Sequence, residues 1–382
     1  MGKNIKKILI TGGAGFVGSE LSRKLVKDGY QVTIVDNFSS QIHGDKDFLS
    51  DDLTGFVKLL KGSVADKKLL YEALDGQDAV IHYAAETGTG QSMYDIGHYS
   101  NINIQATANL CDYLVNNEHD IKTVIVASSR SIYGEGKYKS ETHGYVYPNA
   151  RTYDKAKHSF EVECPKSGSF NLKLVATDED SIIHPSSFYG ITKQVQEQMI
   201  LLACKLKAIN AFALRYQNVY GPGQSLKNPY TGILSIFSRL ALQNEPINIF
   251  EDGLETRDFV YIDDVVNATA SCLTTIYEGQ YAINIGSGVP TSVLEVAKEI
   301  TSYLKSTSEI EVSGVFREGD IRHNYADLTI AKKILNFHPQ WSFKEGISQF
   351  LDWVSKQEDI PPTNDDYKRS LKELKQKGLL NG

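Results

Sequence analysis

The segment Ile8-Leu9-Ile10-Thr11-Gly12-Gly13-Ala14-Gly15-Phe16-Val17-Gly18 constrains the fold of this chain more than any other. A short apolar, β-branched run passes directly into closely spaced glycines and then into a stretch of helical period. A strand that must turn at once into a helix needs residues that accept positive φ and let two backbones approach closely, and glycine supplies both. Such a turn leaves a helix N-terminus beside a strand end, with free N–H groups and a positive dipole suited to a pyrophosphate. The next apolar run, 31–35, leads into Asp36 and Asn37, at the spacing where a carboxylate accepts hydrogen bonds from an adenosine ribose. No Lys or Arg follows Asp36 before Lys46, so a 2′-phosphate would meet an anion with no nearby cation. The pattern selects NAD over NADP, with Gly12, Gly15, Phe16, Val17, Asp36 and Asn37 as candidate contacts.

That turn opens a rhythm. Strand-like runs at 7–11, 31–35, 79–82, 123–127 and 211–215 alternate with helix-period stretches at 17–28, 66–74, 99–116 and 188–207, the mark of a parallel sheet covered by helices on both faces. The expected class is α/β, a Rossmann-type doubly wound parallel sheet with a smaller C-terminal α/β substrate lobe. Expected boundaries are 1–220 for the NAD-binding domain, 221–360 for the second lobe, and 361–382 for a charged terminal helix or solvated tail after Pro361-Pro362. The polar stretch 135–185 is far longer than an ordinary connection and reads as an inserted subdomain. Ligands gather at strand C-termini in such sheets, which adds Ser63 and Val64 near the adenine, and Tyr83, Ala84 and Ala85 beside the pyrophosphate.

Composition removes other classes. The 382 residues are 41% hydrophobic and 23% charged, enough for a large core, and a net charge of −7 leaves no basic field for nucleic acid. No apolar run approaches the ~18 residues of a membrane span. The start runs into the first strand without a signal-peptide core, and Gly2 lacks the Ser or Thr at position 6 that myristoylation requires. The expectation is a cytoplasmic protein that binds neither nucleic acid nor membrane. Cys111, Cys164, Cys204 and Cys272 form no CxxC pair, so no disulfide framework is expected.

The run at 123–127 ends in Ser128-Ser129, and Tyr189 and Lys193 follow on a helical stretch. Side chains four residues apart share a helix face. An ammonium beside a phenol favours phenolate and moves its pKa down from ~10 toward the range of a general base. Ser129 can donate a hydrogen bond to the same substrate oxygen. Alone, Tyr-x-x-x-Lys is an ordinary helix pair; behind a dinucleotide turn, with a serine at a strand end between them, it is a candidate catalytic set.

Together with His82-Tyr83-Ala84-Ala85, Ser128-Ser129-Arg130-Ser131-Ile132-Tyr133-Gly134, Leu214-Arg215-Tyr216-Gln217-Asn218-Val219-Tyr220-Gly221-Pro222, Arg257-Asp258-Phe259-Val260-Tyr261 and Arg317-Glu318-Gly319-Asp320, these motifs carry a likeness that covers nearly the whole chain, residues 6–355. The chain so resembles the extended short-chain dehydrogenase/reductase family, in its nucleotide-sugar epimerase and dehydratase branch. The resemblance implies a catalytic triad of Ser129, Tyr189 and Lys193. It adds Asn103, Ser128, Tyr216 and Val219 to the NAD contacts, with Tyr189 and Lys193 also touching the cofactor. It assigns Asn218 and Asn228 to the sugar diphosphate, Ile249 and Phe250 to the base, Arg257 and Arg317 to the diphosphate, and Asp320 to the nucleoside ribose. Arginine suits that role because its planar fork binds phosphate bidentately. A homodimer through helices 99–116 and 188–207 is implied as well.

Within the branch, reactions share a first step, in which phenolate takes the C4 hydroxyl proton while C4 hydride moves to NAD. Dehydratases of the family place Asp-Glu after the catalytic Ser or Thr, similar decarboxylases carry the Glu, and 3,5-epimerases place a Cys at the second position. Here those positions are Arg130 and Ser131, which leaves oxidation and re-reduction on the opposite face, a 4-epimerisation. The stretches 85–93, 135–185 and 217–232 look most like dTDP-L-rhamnose 4-epimerases, which make dTDP-6-deoxy-L-talose, with Thr87, Thr89 and Gln91 as sugar contacts. UDP-hexose or GDP-mannose epimerases, and a non-catalytic NAD(H)-binding regulator on the same fold, are the alternatives. Such relatives often carry a cysteine knuckle in the insert. This chain keeps Cys164-Pro165 but has Ser167-Gly168 where a second Cys would stand, with His143, His158 and His184 as conceivable partners, so no metal is expected.

Overall fold

The computed structural model describes residues 5–156, 159–226, 228, 232–357 and 364–382. Seven strands form the central sheet: β1 (Lys7–Thr11), β2 (Gln31–Asp36), β3 (Lys58–Lys61), β4 (Ala79–His82), β5 (Thr123–Ser129), β6 (Asn210–Tyr216) and β7 (Gln280–Ile285). They lie in the order β7-β6-β5-β4-β1-β2-β3, all parallel. The order reverses between β1 and β4, the crevice where doubly wound sheets bind ligands.

Why the central strands read as unbroken apolar runs is plain from burial. Ile8 and Ile10 face one core with Leu21, Leu25 and Ile34, while Leu9 faces the other with Val35, Val80, Val124 and Val126. Both faces are covered, so neither alternate set of side chains meets water. Helix α1 (Phe16–Lys27) packs on the first face. Helices α2 (Ala106–Asn116) and α3 (Phe188–Leu206) supply Leu110, Leu114, Ile200 and Cys204 to the second.

Two edge strands, β3 and β7, were not among the expected runs. The expected helix 99–116 is also divided: Ile96–Tyr99 is followed by a π-helical segment, Ser100–Gln105, before α2. A widened turn of this kind re-aims one side chain, and here that is Asn103.

The insert has its own three-stranded antiparallel sheet, Gly144–Val146, Tyr138–Ser140 and Lys173–Leu174, over a small cluster of Tyr138, Val146, Val162 and Cys164. Buried ion pairs weld it to the second lobe. Arg151 bridges Glu135 at 3.0 Å and Glu251 at 2.8 Å. Arg322 pairs with Glu161, Asp252 and Glu251 at 2.6, 2.6 and 3.2 Å. Residues 364–376 form helix α4 (Asn364–Gln376), and Leu380–Asn381 adds a strand to Phe316–Arg317. Among the described residues no helix is long and apolar enough to cross a membrane.

Candidate active site

A single cleft of about 610 Å³ runs along the C-terminal ends of the sheet strands, between the sheet and the second lobe. At one end it is made mostly of backbone. Gly12 has φ +70°, and a Cβ placed there would come within 2.7 Å of the Ala84 nitrogen, so the strand ends of β1 and β4 close only around glycine. Helix α1 starts at Gly15 with no side-chain cap and no acidic residue in its first turn. Its N–H groups and dipole are therefore uncommitted where Gly15, Phe16 and Val17 line the cleft.

Asp36 closes the other side of the turn. Its carboxylate accepts the Ala14 N–H at 3.0 Å and the Phe38 N–H at 2.9 Å, and it faces the cleft with Asn37. His43, 3.7 Å from that carboxylate, has its pKa lowered chiefly by burial, which favours the neutral ring. A glycine cradle, a bare helix start and an acid without a cation beside it are the donor and acceptor set of a dinucleotide that lacks a 2′-phosphate. The residues present fit NAD.

At mid-cleft, β5 ends in Ser129. Its hydroxyl accepts the Ser131 N–H at 3.1 Å and the Ser131 hydroxyl at 2.9 Å, and it is hydrogen-bonded to the Tyr189 phenol. Tyr189 stands in the first turn of α3, whose N-cap Ser187 accepts the Gly190 N–H at 3.1 Å. The Tyr189 N–H donates to the Ser92 hydroxyl at 3.0 Å, which ties α3 to the loop after β4. One turn on, Lys193 donates to the Ala127 carbonyl at 3.0 Å.

The charge balance differs from the sequence expectation. Burial is the largest effect on both groups: it raises the Tyr189 pKa and lowers that of Lys193 to about 7. The lysine nitrogen lies 6.0 Å from the Tyr189 ring centroid, and the influences that pull the phenol down are the Ser129 hydrogen bond and the charge of Arg130. Arg130 was read from sequence only as the absence of an acid. It lines the cleft and donates from Nε to Asn218 Oδ1 at 3.0 Å. Burial, and then its neighbour Arg257, push its own pKa down to about 9.

The far end belongs to the second lobe. Arg257 donates to the carbonyls of Thr256, Arg322 and Ile321 at 2.9, 3.0 and 2.8 Å. Its neighbour Asp258 is wholly buried and accepts from Ser287, Gly288 and Ala326, which fixes the strand. Arg317 pairs with Asp320 at 2.9 Å and lies 5.8 Å from the Phe250 ring centroid.

Around this one cleft the structure gathers Gly12, Gly15, Phe16, Val17, Asp36, Asn37, Ser63, Val64, Tyr83, Ala84 and Ala85 with Ser128, Ser129, Tyr189, Lys193, Tyr216 and Val219. Thr87, Thr89, Asn218, Asn228, Phe250, Arg257, Arg317 and Asp320 line it as well. Three expected contacts stand outside it. Asn103 is fully buried and holds the main chain of Glu86, accepting at 2.8 Å and donating at 3.1 Å, while also donating to Thr192; its role is to brace the loop after β4. Gln91 is taken up by a reciprocal pair with Gln41 at 2.9 and 3.0 Å. Ile249 is buried in the lobe core, because it alternates with Phe250 along the chain and only one of two adjacent residues can face the cleft.

Sequence reasoning missed Arg130, Glu255 and the face of α4 carrying Tyr367, Ser370, Leu371 and Leu374. Burial pushes the Glu255 carboxyl up to about 7. In the insert, Cys164 hydrogen-bonds with Ser167, which lowers its pKa, and His184 is bonded to the carbonyls of Ile182 and Pro148. The three acids Glu251, Asp252 and Glu255 converge, but around the guanidinium of Arg322. His158, Lys227, Pro229, Tyr230, Thr231 and Pro361-Pro362 lie outside the described residues.

Comparison with known proteins agrees with this geometry. The model of the NAD dependent epimerase/dehydratase family matches residues 8–176 and 168–286. A dTDP-L-rhamnose 4-epimerase from Burkholderia thailandensis is 36% identical over 358 residues, 93% of this chain and 96% of that protein. The UDP-glucose 4-epimerase of Thermotoga maritima, solved with UDP-glucose, superposes with a TM-score of 0.75 at 28% identity, covering 92% of this chain and 99% of its own. MoeE5 in complex with UDP-glucuronic acid and NAD gives a TM-score of 0.74 at 27% identity, with the same coverage.

Proposed function

The chain belongs to the NAD-dependent epimerase/dehydratase family and is a nucleotide-sugar epimerase, and from that premise we propose that it inverts C4 of a nucleoside-diphosphate sugar. We infer dTDP-L-rhamnose as the substrate and dTDP-6-deoxy-L-talose as the product, made by a cytoplasmic homodimer. NAD is the cofactor. Held in the cleft, it would supply a hydride acceptor and then a hydride donor at C4 of the sugar.

The chain's own residues supply the rest. Gly12, Gly15 and Asp36 bind and orient the dinucleotide at one end of the cleft. Arg257 and Arg317 anchor the diphosphate at the other, so that the sugar can turn about its diphosphate without leaving. Between them Tyr189 takes the C4 hydroxyl proton and later gives it back to the ketone oxygen, while Ser129 orients that oxygen. A phenol held up by burial is well suited to the second step. The nearby charge of Arg130 favours the phenolate needed for the first.

One observation carries the choice of reaction. The Ser129–Tyr189 pair is present, yet the two following residues are Arg130, bonded to Asn218, and Ser131, bonded to Ser129. Neither is a carboxylic acid or a thiol, so these two positions, next to the Ser129 hydroxyl, offer no acid and base for loss of the C6 hydroxyl and no acid for inversion at C3 or C5. Incubation with dTDP-, UDP- and GDP-sugars, read by the C4 proton coupling of the products, tests the proposal. Conversion of dTDP-L-rhamnose to its C4 epimer is expected. Exclusive turnover of UDP- or GDP-sugars would move the assignment to that base, and bound NAD without any turnover would make the chain a regulator. The homodimer is supported by Leu202 and Leu206 on α3, 60% and 68% exposed.

A further inference from the structure

Helix α4 and the strand Leu380–Asn381 are not the solvated tail that their charge density suggests. They cross the mouth of the cleft and touch both sides of it. On the lobe side, Leu380 lies opposite Arg317 in an antiparallel pair, and the Glu318 N–H donates to the Leu379 carbonyl at 2.9 Å. On the sheet side, the Tyr94 hydroxyl donates to the Glu373 carboxylate at 3.1 Å, and the Lys377 ammonium lies 4.8 Å from the Tyr94 ring centroid. Leu374 sits close enough to Gly90 that a Cβ there would be 3.8 Å from it.

The segment that α4 meets is the one that seats the phenol. Gly90 belongs to the turn Thr89–Ser92, and the Ser92 hydroxyl accepts the Tyr189 N–H while donating to the Thr89 carbonyl at 2.7 Å. The inner face of α4 therefore spans from the turn that holds Tyr189 to the arginine that meets the diphosphate. Tyr367, Ser370, Leu371 and Leu374 from that face line the same cleft as Tyr189 and Arg317; the Ser370 hydroxyl is spent on the Tyr367 carbonyl at 2.8 Å, and Leu374, 3% exposed, offers the cleft only an edge beside Leu371.

We propose that the C-terminal segment is part of the substrate site, and that Leu371 and Leu374 form an apolar wall there which selects a 6-deoxyhexose over a hexose bearing a 6-hydroxyl. This inference rests on the nucleotide-sugar reading above. Polar partners for ring hydroxyls come from elsewhere in the cleft, from Thr87, Thr89, Ser129 and Asn218. A methyl group at C6 keeps contact with the two leucines and asks for no hydrogen bond, whereas a hydroxymethyl group there would leave a hydroxyl without a partner. A hydrophobic pocket discriminates against an added hydroxyl by about 10²-fold at most, so a preference of at least about tenfold is the expected scale.

The test uses the full-length protein and two sugars that differ only at C6, dTDP-L-rhamnose and dTDP-L-mannose. Wild type should favour the 6-deoxy sugar by about tenfold or more in kcat/KM. Leu371→Asn should cut that preference at least about fivefold, mainly through KM, with NAD content and Tm unchanged. In the unmodified chain, saturating dTDP-L-rhamnose should slow amide exchange across residues 367–376 at least about threefold. Equal turnover of the two sugars, an unchanged preference in a folded Leu371→Asn, or unchanged exchange across α4 would each overturn the inference while leaving C4 epimerisation standing. Absence of turnover with any dTDP-, UDP- or GDP-sugar would instead remove the parent reading.

Discussion

The two ends of the cleft are built on different principles. The cofactor end comes from one short piece of chain, a strand, a turn and a helix start, and its working groups are backbone N–H groups exposed by Gly12 and Gly15. The substrate end is assembled from the insert, the lobe and the C-terminal helix, and its working groups are side chains held by buried ions. Arg151 and Arg322 join Glu135 and Glu161 of the insert to Glu251 and Asp252, directly behind the strand that bears Arg257. A backbone-made site depends on the absence of side chains; a side-chain-made site depends on long-range pairing. The first should fail by steric intrusion and the second by loss of a charge partner.

That contrast can be broken by experiment. The largest effect is expected at the junction of the two ends: Tyr189→Phe should lower kcat about 10²- to 10⁴-fold, with NAD content and dTDP affinity retained. Loss of NAD from this variant would mean that the phenol's role is structural. Next, Arg322→Met removes the central cation of a buried acidic group and should cost about 3–5 kcal/mol of stability, measured by urea unfolding. Affinity for dTDP should fall in the folded fraction while NAD is kept. Gly12→Val should do the reverse, emptying the NAD site because the added side chain meets the Ala84 backbone. Equal loss of both ligands in either variant would erase the distinction between the ends.

A smaller effect concerns pH. Burial holds Lys193 at about 7 in the folded protein, below its ordinary 10.5. Between those values the unfolded chain binds the extra proton, so this residue makes stability rise with pH across that window, and its cost is fully present below pH 7. The unfolding free energy of wild type relative to Lys193→Met should therefore climb from pH 7 toward pH 10. A flat difference would show that the ammonium is solvated. The smallest effect is expected from Leu202→Glu, which should leave each site intact and shift the mass in light scattering from dimer to monomer.

How much was legible in the sequence follows the same division. Strands β1, β2, β4, β5 and β6 announce themselves because burial on both faces demands continuous apolar residues. The edge strand β3 is four residues with a lysine at each end, and in β7 three residues are only half-buried, so neither makes such a run. Gly12, Asp36 and Ser129 stand at or next to strand ends, and Tyr189 and Lys193 are four residues apart at the start of α3, so each has a local pattern to read. Asn103 stands off the cleft lining because a π-helical segment, invisible to a 3.6-residue period, turns it toward Glu86 and Thr192. Naming Ile249 beside Phe250 overlooked strand alternation. Gln91 is claimed by Gln41, 50 residues away, and no local pattern signals that. The inner face of α4 was hidden by the lysines and acids around it, since charge on one side of a helix says little about what the other side covers.

The central claim is that a single carbon is oxidised and re-reduced while the rest of the sugar stays intact, and a substrate deuterated at C4 tests it most directly. With dTDP-[4-²H]-L-rhamnose in ordinary water, the account predicts that both epimers keep deuterium at C4 through many turnovers. Washout of that label into water, or deuterium appearing at C3 or C5 when unlabelled substrate is turned over in D₂O, would contradict it.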